Sequence, residues 1–382
     1  MATDSPQRRM RSYLQRIATG PELSKPLSRD QARDGFDMIL NNEIDPVQVA
    51  IFLIALRMKR ETDDENLGVL EAIAGRCRSA TAQAGDVMLL ADPFNGFVRG
   101  LPATPFLPAV LAACGLPVCL HGMRQAGPKY GITGHQVLQA AGLPVDLSPA
   151  RAAGQLDDPR VGWAYLDQDR YLPELHDLCP LRDKMVKRSL ISTLEVAIKP
   201  LSGRLRTHLC TGYVHKAYPP VYESLARHAG FQSMVLVKGV EGGCIPSLSQ
   251  VSRCFAFSDD SGLEMRRLSP FSLGIERRQR MIPIDDALLE GFGRTGFNRT
   301  EALSPAVSAT VEQGREALAG LPGPMFDSLV YGASIALVHT GLAESWERAA
   351  NMSRRAMESG HARERFEAAC APAASDSSRA VS

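Results

Sequence analysis

The 382-residue sequence has no apolar run that approaches the roughly 20 residues needed to cross a lipid bilayer. Its first residues, MATDSPQRRMRSY, include basic side chains, but no apolar segment follows them. A secretory signal requires such a segment directly after its basic residues. We therefore expect a cytoplasmic protein that makes no membrane contact.

Cysteine pairs at metal-binding or redox spacing are also missing. No two of the eight cysteines form a CxxC motif; they stand at positions 77, 114, 119, 179, 210, 244, 254 and 370. Several lie among apolar or small residues, where cysteine behaves as a small hydrophobic side chain. This pattern predicts neither structural zinc nor disulfides, and it is typical of a reducing compartment.

Neither sign of charge dominates the sequence. Lysine and arginine number 43 and aspartate and glutamate number 42, so the formal net charge is +1. This balance excludes a global basic field of the kind that attracts nucleic acids, and any polyanion site would have to be a local patch. The length and the 45% hydrophobic content predict full hydrophobic cores in more than one packed unit.

The first 84 residues show the pattern of a small helical domain. Three segments, SRDQ (28–31), DPVQ (45–48) and TDDE (62–65), each place a capping residue three positions before Glu or Gln. This is the capping-box arrangement that begins helices. The segment Val47–Leu56 is apolar nearly all round, which predicts a helix buried within the chain or in a subunit interface.

From about residue 85 to residue 370 the pattern changes to alternating strands and helices. Predicted strands are Val87–Ala91, Val118–His121 and Ser233–Lys238, and predicted helices are Phe106–Cys114 and Tyr222–Ala229. Such alternation predicts an α/β domain with a central, mainly parallel sheet flanked by helices.

Three further segments complete the predicted organisation. Asp183–Leu201 is predicted to be helical, and helices from about 178–205 are expected to join the N-terminal domain. Pro324–Ala369 is predicted to form two helices. The small, polar tail 371–382 is expected to be disordered.

The order and the local sequences of these segments resemble those of the anthranilate phosphoribosyltransferases of glycosyltransferase family 3. The resemblance covers roughly residues 10–368 and is carried by LSRDQARDGFDMILNNEIDPVQVAIFLIALRMKRETDDE (27–65), CLHGMRQAGPKYG (119–131), PLRDKMVKRSLISTLEVAIKPLS (180–202), LSPFSLGI (268–275) and residues 324–367. It implies a homodimer formed through the helical domain, and binding of phosphoribosyl pyrophosphate with Mg²⁺.

The pyrophosphate loop of that family departs from its pattern here. The family sequence GTGGDG falls on ADPFNG, Ala91–Gly96. Pro93 has no N–H, Phe94 fills space, and Asp92 adds negative charge beside an anion. We therefore expect the loop to lie where a phosphate cradle belongs but to bind pyrophosphate weakly.

The acidic pair that holds Mg²⁺ in the family is also replaced. LVKGVEGGCIPS (236–247) places Cys244 and Ile245 at those positions, and neither side chain offers the hard oxygen that Mg²⁺ prefers. Glu241 lies nearby and is interpreted as a solvated loop charge. We expect no metal or cofactor unless the family activity is retained, in which case Mg²⁺ and phosphoribosyl pyrophosphate would be required.

Several ligand-binding candidates still match the family pattern. Arg182 matches the arginine that holds the anthranilate carboxylate, with a salt bridge at a helix start as the alternative. His121 is either an active-site donor or a strand-end histidine satisfied by nearby backbone. Lys129 either contacts a phosphate or is a solvated loop residue. The complete set of candidates is His121, Arg124, Lys129, Arg182, Asn95, Gly96 and Thr104.

These observations leave three hypotheses for function. The first is a divergent second-type paralogue that binds another anionic ligand, such as single-stranded nucleic acid, in the interdomain cleft. The second is an active phosphoribosyl- or glycosyltransferase that acts on anthranilate or another aromatic acceptor, and the third is a non-catalytic dimer. Basic residues that could line a nucleic-acid groove are Lys184, Lys187, Arg188, Lys199, Arg204 and Arg206, with a second cluster at Arg266, Arg267, Arg277, Arg278 and Arg280.

Overall fold

A computed structural model describes residues 4–20, 22–285 and 304–371 of the chain. It begins with four helices, α1 (Pro6–Ile17), α2 (Arg29–Leu40), α3 (Pro46–Lys59) and α4 (Asp63–Ala74). Ser28 and Thr62 form the capping boxes predicted for α2 and α4. The box predicted at Asp45 is wrong, since that carboxylate caps α3 by accepting from the Val47 N–H. The predicted helical domain is confirmed.

The larger domain is built on a seven-stranded sheet in the order β4-β3-β2-β6-β7-β8-β9. The first five strands run parallel, and the last two are antiparallel at one edge. The strands are β2 (Asp86–Ala91), β3 (Val118–Gly122), β4 (Trp163–Asp167), β6 (Arg206–Gly212), β7 (Ser233–Val237), β8 (Ser252–Ser258) and β9 (Glu264–Leu268), while β1 (Ala80–Thr81) pairs with β5 (Leu201–Ser202) separately. The mainly parallel α/β sheet is as predicted.

Alternate residues of the sheet belong to two different cores. On β2, Val87 and Leu89 pack in the core that includes the N-terminal helices, whereas Met88 and Leu90 pack in the core that includes the C-terminal helices. Because both of its faces are covered, β2 is continuously apolar rather than alternating. The antiparallel edge differs, since β9 exposes Glu264, Arg266 and Arg267.

The remaining helices correct two predictions. Asp183–Leu201 is not one helix, because Val186 takes a left-handed conformation (φ 57°) that ends the helix before it. The two helices predicted over Pro324–Ala369 are three, with a break at Gly360. Residues 372–382, predicted to be disordered, lie outside the described residues. The helices are α5 (Leu107–Ala113), α6 (Gly134–Ala140), α7 (Pro149–Asp157), α8 (Gln168–Tyr171), α9 (Pro173–His176), α10 (Cys179–Met185), α11 (Ile191–Leu194), α12 (Pro219–His228), α13 (Ser304–Leu318), α14 (Pro324–His339), α15 (Trp346–Glu358) and α16 (His361–Cys370).

Over the part of the chain that the structure describes, none of these helices has the length and apolar character needed to cross a membrane.

A buried polar chain links the amino ends of two strands to α14. Ser233 Oγ lies 2.7 Å from Nδ1 of His208 and 2.8 Å from Nε2 of His339. Burial, with smaller contributions from His208 and Arg266, lowers the pKa of His339 to about 3. Burial also lowers the pKa of His121, at the opposite end of the sheet, to about 3. Both imidazoles are therefore neutral in the folded protein at neutral pH.

We predict that the protein loses stability as the pH falls below about 6.5. His121 and His339 take up protons in the unfolded chain at that pH, whereas their lowered pKa keeps them neutral in the folded protein. Each such histidine lowers the free energy of unfolding by about 2 kcal/mol at pH 5 relative to pH 7.5. His339→Gln should remove the contribution of one histidine to the pH dependence of the free energy of unfolding. Urea titrations of both proteins at several pH values measure the difference.

The exposed His361→Gln, which removes an imidazole from the surface, is the matched control and should follow the wild-type pH profile. Parallel profiles for His339→Gln and the wild type would contradict the prediction.

Candidate functional site

A cleft of about 160 Å³ lies at the carboxyl ends of the parallel strands, facing the helical domain. Its walls come from the loop after β2, the end of β6, the start of α12, Arg57 of α3 and the segment 188–196. Ligands of open α/β sheets bind at this end of the strands. We therefore take this cleft as the candidate site.

The loop Ala91–Gly96 forms one wall of the cleft, and some of its polar groups are used in hydrogen bonds within the protein. Asp92 is half-buried, and its carboxylate accepts a hydrogen bond of 3.0 Å from the Cys244 N–H. Burial raises the pKa of Asp92 in spite of this bond and a side-chain bond with Thr104. Pro93 has no N–H to offer, and the Gly96 N–H donates to the Pro93 carbonyl at 2.8 Å. Neither Pro93 nor Gly96 therefore offers an N–H to a ligand.

Phe94 and His121 fill the space beside this loop. The Phe94 ring is buried and meets the His121 ring edge-on, with the centroids 5.6 Å apart. His121 Nδ1 lies 3.2 Å from the hydroxyl of Tyr171. His121 is thus paired with a tyrosine inside the protein, which neither of the two predicted alternatives anticipated.

Asn95, Gly96 and Thr104 have structural partners as well. With its amide turned toward Arg188, the Asn95 oxygen accepts two hydrogen bonds of 3.0 Å from that guanidinium. Gly96 takes a positive φ of 71°, and a Cβ there would come within 2.6 Å of the Gly131 and Ile132 backbone. Only glycine allows this close approach of the two loops.

Glu241 corrects the prediction of a solvated loop charge. Its carboxylate accepts hydrogen bonds from the backbone N–H groups of Val98 (3.2 Å) and Arg99 (2.8 Å). It also lies 2.5 Å from Lys129 Nζ, and the Glu241 and Lys129 side chains are 6% and 15% exposed respectively. Burial lowers the pKa of Lys129, and the Glu241 charge opposes that shift. Lys129 is therefore held in an ion pair rather than solvated.

Arg182 is likewise committed to a partner within the chain. It donates to both oxygens of Glu195, at 2.9 and 3.0 Å, and both side chains are buried. Burial tends to lower the pKa of Arg182, but Glu195 raises it overall. This bidentate pair favours the salt-bridge alternative, although within the helix rather than at its start. Arg124 is exposed, and its carbonyl accepts from the Thr133 hydroxyl at 2.9 Å.

The sequence analysis named Asn95 and Arg188, which line the open cleft, but missed its tyrosines and Arg57. Tyr213, Tyr218 and Tyr222 form one side, and Arg57 reaches across from the helical domain to donate to the Tyr218 hydroxyl at 2.8 Å. Arg188 lies at the cleft as well and is exposed. The tyrosines stand together in TGYVHKAYPPVYE (211–223), which is the only local signal that could have found them.

The positions of the family's acidic metal pair hold no carboxylate. Cys244 is buried with its thiol 3.5 Å from the carbonyl oxygens of Ala91 and Cys210, and the Cys210 contact and burial raise its pKa. The Ile245 side chain packs near Gly332 of α14. Within residues 4–20, 22–285 and 304–371, no group of three or more His, Cys, Asp or Glu side chains is arranged to hold a metal ion. These residues do not fit a resident Mg²⁺.

The predicted basic residues divide into two groups. Lys184, Lys187 and Arg188 are exposed along the segment that leads into the cleft. Others have partners of their own: Lys199 donates to the Gly230 carbonyl, Arg206 pairs with Asp259, Arg266 with Glu264, and Arg277 with Asp327. Of the predicted basic residues, Arg188 lines the cleft, and the exposed Lys184 and Lys187 precede it in the chain.

We predict that Arg182→Met or Glu195→Leu alone destabilises the protein by about 3–5 kcal/mol, because each leaves one buried charge without its partner. The double variant Arg182→Met/Glu195→Leu should recover most of that loss. Urea unfolding of the three variants measures the coupling. Additive losses in the double variant would contradict a coupled buried pair.

Comparison with known proteins gives a consistent picture. Residues 11–77 match the glycosyl transferase family, helical bundle domain. The chain is 28% identical over 340 residues to an anthranilate phosphoribosyltransferase of Erythrobacter litoralis, covering 88% of this chain and 94% of that protein. It is 27% identical over 365 residues to another from Thermomicrobium roseum, covering 93% and 94%.

Solved structures agree with the fold. Anthranilate phosphoribosyltransferase from Thermus thermophilus superposes with a TM-score of 0.72 at 18% identity, covering 95% of this chain and 98% of that one. The enzyme from Saccharomyces cerevisiae in complex with PRPP and Mg superposes with a TM-score of 0.73 at 15% identity, covering 95% and 97%. The N-terminal helices therefore match the helical bundle domain of the glycosyl transferase family, and the chain is similar to anthranilate phosphoribosyltransferases over most of its length.

Proposed function

We propose that this protein is a divergent second-type paralogue that no longer catalyses phosphoribosyl transfer and binds another anionic ligand in the cleft. The observation that carries the proposal is the loop Ala91–Gly96. Its proline lacks an N–H, the Gly96 N–H is used within the loop, and Asp92 puts a carboxyl group where a diphosphate would need donors. A cradle for pyrophosphate requires several free N–H groups and small side chains.

The residues at the positions that carry the metal-binding and substrate-binding charges in the family reaction support the same proposal. Cys244 and Ile245 replace the carboxylates that would hold Mg²⁺, and both are packed inside the protein. Arg182, which matches the arginine for the anthranilate carboxylate, is neutralised by Glu195. Electrostatic stabilisation of the transition state usually contributes more to catalysis than any other effect, and these side chains leave little of it for a transferred phosphoribosyl group.

The open part of the cleft still suits an anion that carries planar rings. Arg57 and Arg188 supply guanidinium groups, and the half-buried Tyr218 supplies an aromatic ring. The exposed Lys184 and Lys187 continue the positive charge beyond the cleft. Single-stranded nucleic acid combines phosphates with stackable bases, so it is the ligand class that this combination favours.

We predict that isothermal titration calorimetry of the full-length protein gives no saturable heat with phosphoribosyl pyrophosphate and Mg²⁺. A fluorescent single-stranded oligonucleotide should bind, with an affinity that falls as salt rises. Arg188→Ala should weaken this binding and reduce the slope of log K against log salt by about 0.7, because one phosphate contact is lost.

Arg151→Ala, an exposed arginine on α7 remote from the cleft, is the matched control and should bind like the wild type. Saturable binding of phosphoribosyl pyrophosphate with Mg²⁺ would overturn the proposal and favour the active transferase, with anthranilate or another aromatic acceptor. If neither ligand binds, even at low salt, nucleic acid is removed as the ligand.

We further propose that the protein is a homodimer assembled through the helical domain. The outer face of α3 exposes Val47, Ile51 and Met58, which are 66%, 42% and 77% exposed. An apolar groove of about 540 Å³ runs beside it and also includes Ile17 and Met185. A second copy of this face would cover the apolar surface of both chains.

Light scattering should therefore give twice the mass of the chain for the wild type, whereas Ile51→Glu should give a monomer. Leu321→Glu introduces the same charge at an exposed leucine of the larger domain and should stay dimeric. A monomeric wild type at micromolar concentration would contradict the dimer.

A further inference from the structure

The surroundings of Glu241 have the composition of an oxyanion-binding site. Two backbone N–H groups, from Val98 and Arg99, converge on its carboxylate, and the Lys129 ammonium lies 2.5 Å away. Arg99 and Arg188 lie close enough to act electrostatically on Lys129. Convergent N–H groups beside a cation form the usual protein site for a phosphate or carboxylate.

The backbone that presents Glu241 is held in an unusual conformation. Glu241 takes φ 52° and ψ 13°, which is left-handed for a residue with a side chain. The backbone around it is tightly packed, because a Cβ on Gly239 would come within 1.7 Å of the Gly243 carbonyl oxygen. A Cβ on Gly212, at the end of β6, would come within 2.2 Å of the carbonyl oxygens of Gly242 and Gly243. Non-glycine residues persist in this conformation only where the surrounding structure enforces it.

Glu241 also lies on the boundary between two cavities. It lines the cleft and an adjoining cavity of about 40 Å³, whose other walls include Phe97, Arg280 and Ser328. Only 6% of its side chain is exposed to solvent, although both cavities touch the residue. Its removal would therefore leave donors facing open space.

We propose that Val98, Arg99 and Lys129 form a binding site for a single phosphate or carboxylate group. In the wild-type protein the Glu241 carboxylate occupies this site in place of a ligand. The site is distinct from the loop Ala91–Gly96, and Glu241 keeps it closed in the wild-type protein. This deepens the proposed function and rests on it, because a ligand in the cleft reaches these donors only when it displaces Glu241.

The test is calorimetric titration of full-length Glu241→Ala and wild-type protein with inorganic phosphate at constant ionic strength. Glu241→Ala should bind phosphate at least about ten-fold more tightly than the wild type, the factor expected when donors to a charged group become available. The addition of Lys129→Met to Glu241→Ala should abolish the gain. Acetate in a parallel titration distinguishes a site for any oxyanion from one that requires the phosphate charge.

Glu264→Ala is the matched control, since it also removes a carboxylate from its cationic partner, Arg266, but on the exposed strand β9. It should gain no phosphate binding. If Glu241→Ala does not fold, Glu241→Gln keeps the shape of the side chain and should bind phosphate between the wild type and the alanine variant.

A folded Glu241→Ala or Glu241→Gln protein that binds phosphate no better than the wild type overturns the proposal, as does an equal gain in Glu264→Ala. This outcome is independent of the titration with phosphoribosyl pyrophosphate and Mg²⁺. The wild-type protein can fail to bind that donor whether or not the alanine variant gains a phosphate site, so the two failures are distinguishable.

Discussion

Burial of the central sheet on both faces is the constraint on which the rest of this structure depends. The N-terminal helices cover one face and the C-terminal helices the other, so β2 carries apolar side chains without interruption. Polar chemistry is thereby displaced to the strand ends. The cleft, the ion pair of Lys129 and Glu241, and the pair of Arg182 and Glu195 all lie at or beyond the carboxyl ends, whereas the chain of His208, Ser233 and His339 lies at the amino ends.

The same fold that holds an anionic substrate in its relatives satisfies its positive groups internally here. Glu195 and Glu241 line the cleft, and each pairs with a cation that lies behind it, Arg182 and Lys129 respectively. A buried cation without a partner is costly, so these carboxylates stabilise the two cations in the absence of a ligand. What is left for recognition is the tyrosine side of the cleft and the arginines at its edges.

Local features were predictable from the sequence, and long-range ones were not. The caps at Ser28 and Thr62 and the strand in Val87–Ala91 follow from neighbouring residues, and the structure agrees with them. The break at Val186 was not visible, because a positive φ at valine has no sequence signal. The burial of Glu241 was also hidden, since its backbone donors at Val98 and Arg99 are more than a hundred positions away in the chain.

Helix α3 links two regions of the molecule that would otherwise be separate. Its outer face carries the exposed Val47 and Ile51, and its last turns carry Arg57, which reaches the Tyr218 hydroxyl across the cleft. A 14-residue helix is about 21 Å long and moves as a rigid rod. A shift of this helix against its neighbours would therefore displace the apolar outer face and the Arg57 guanidinium together, and would change the width of the cleft mouth.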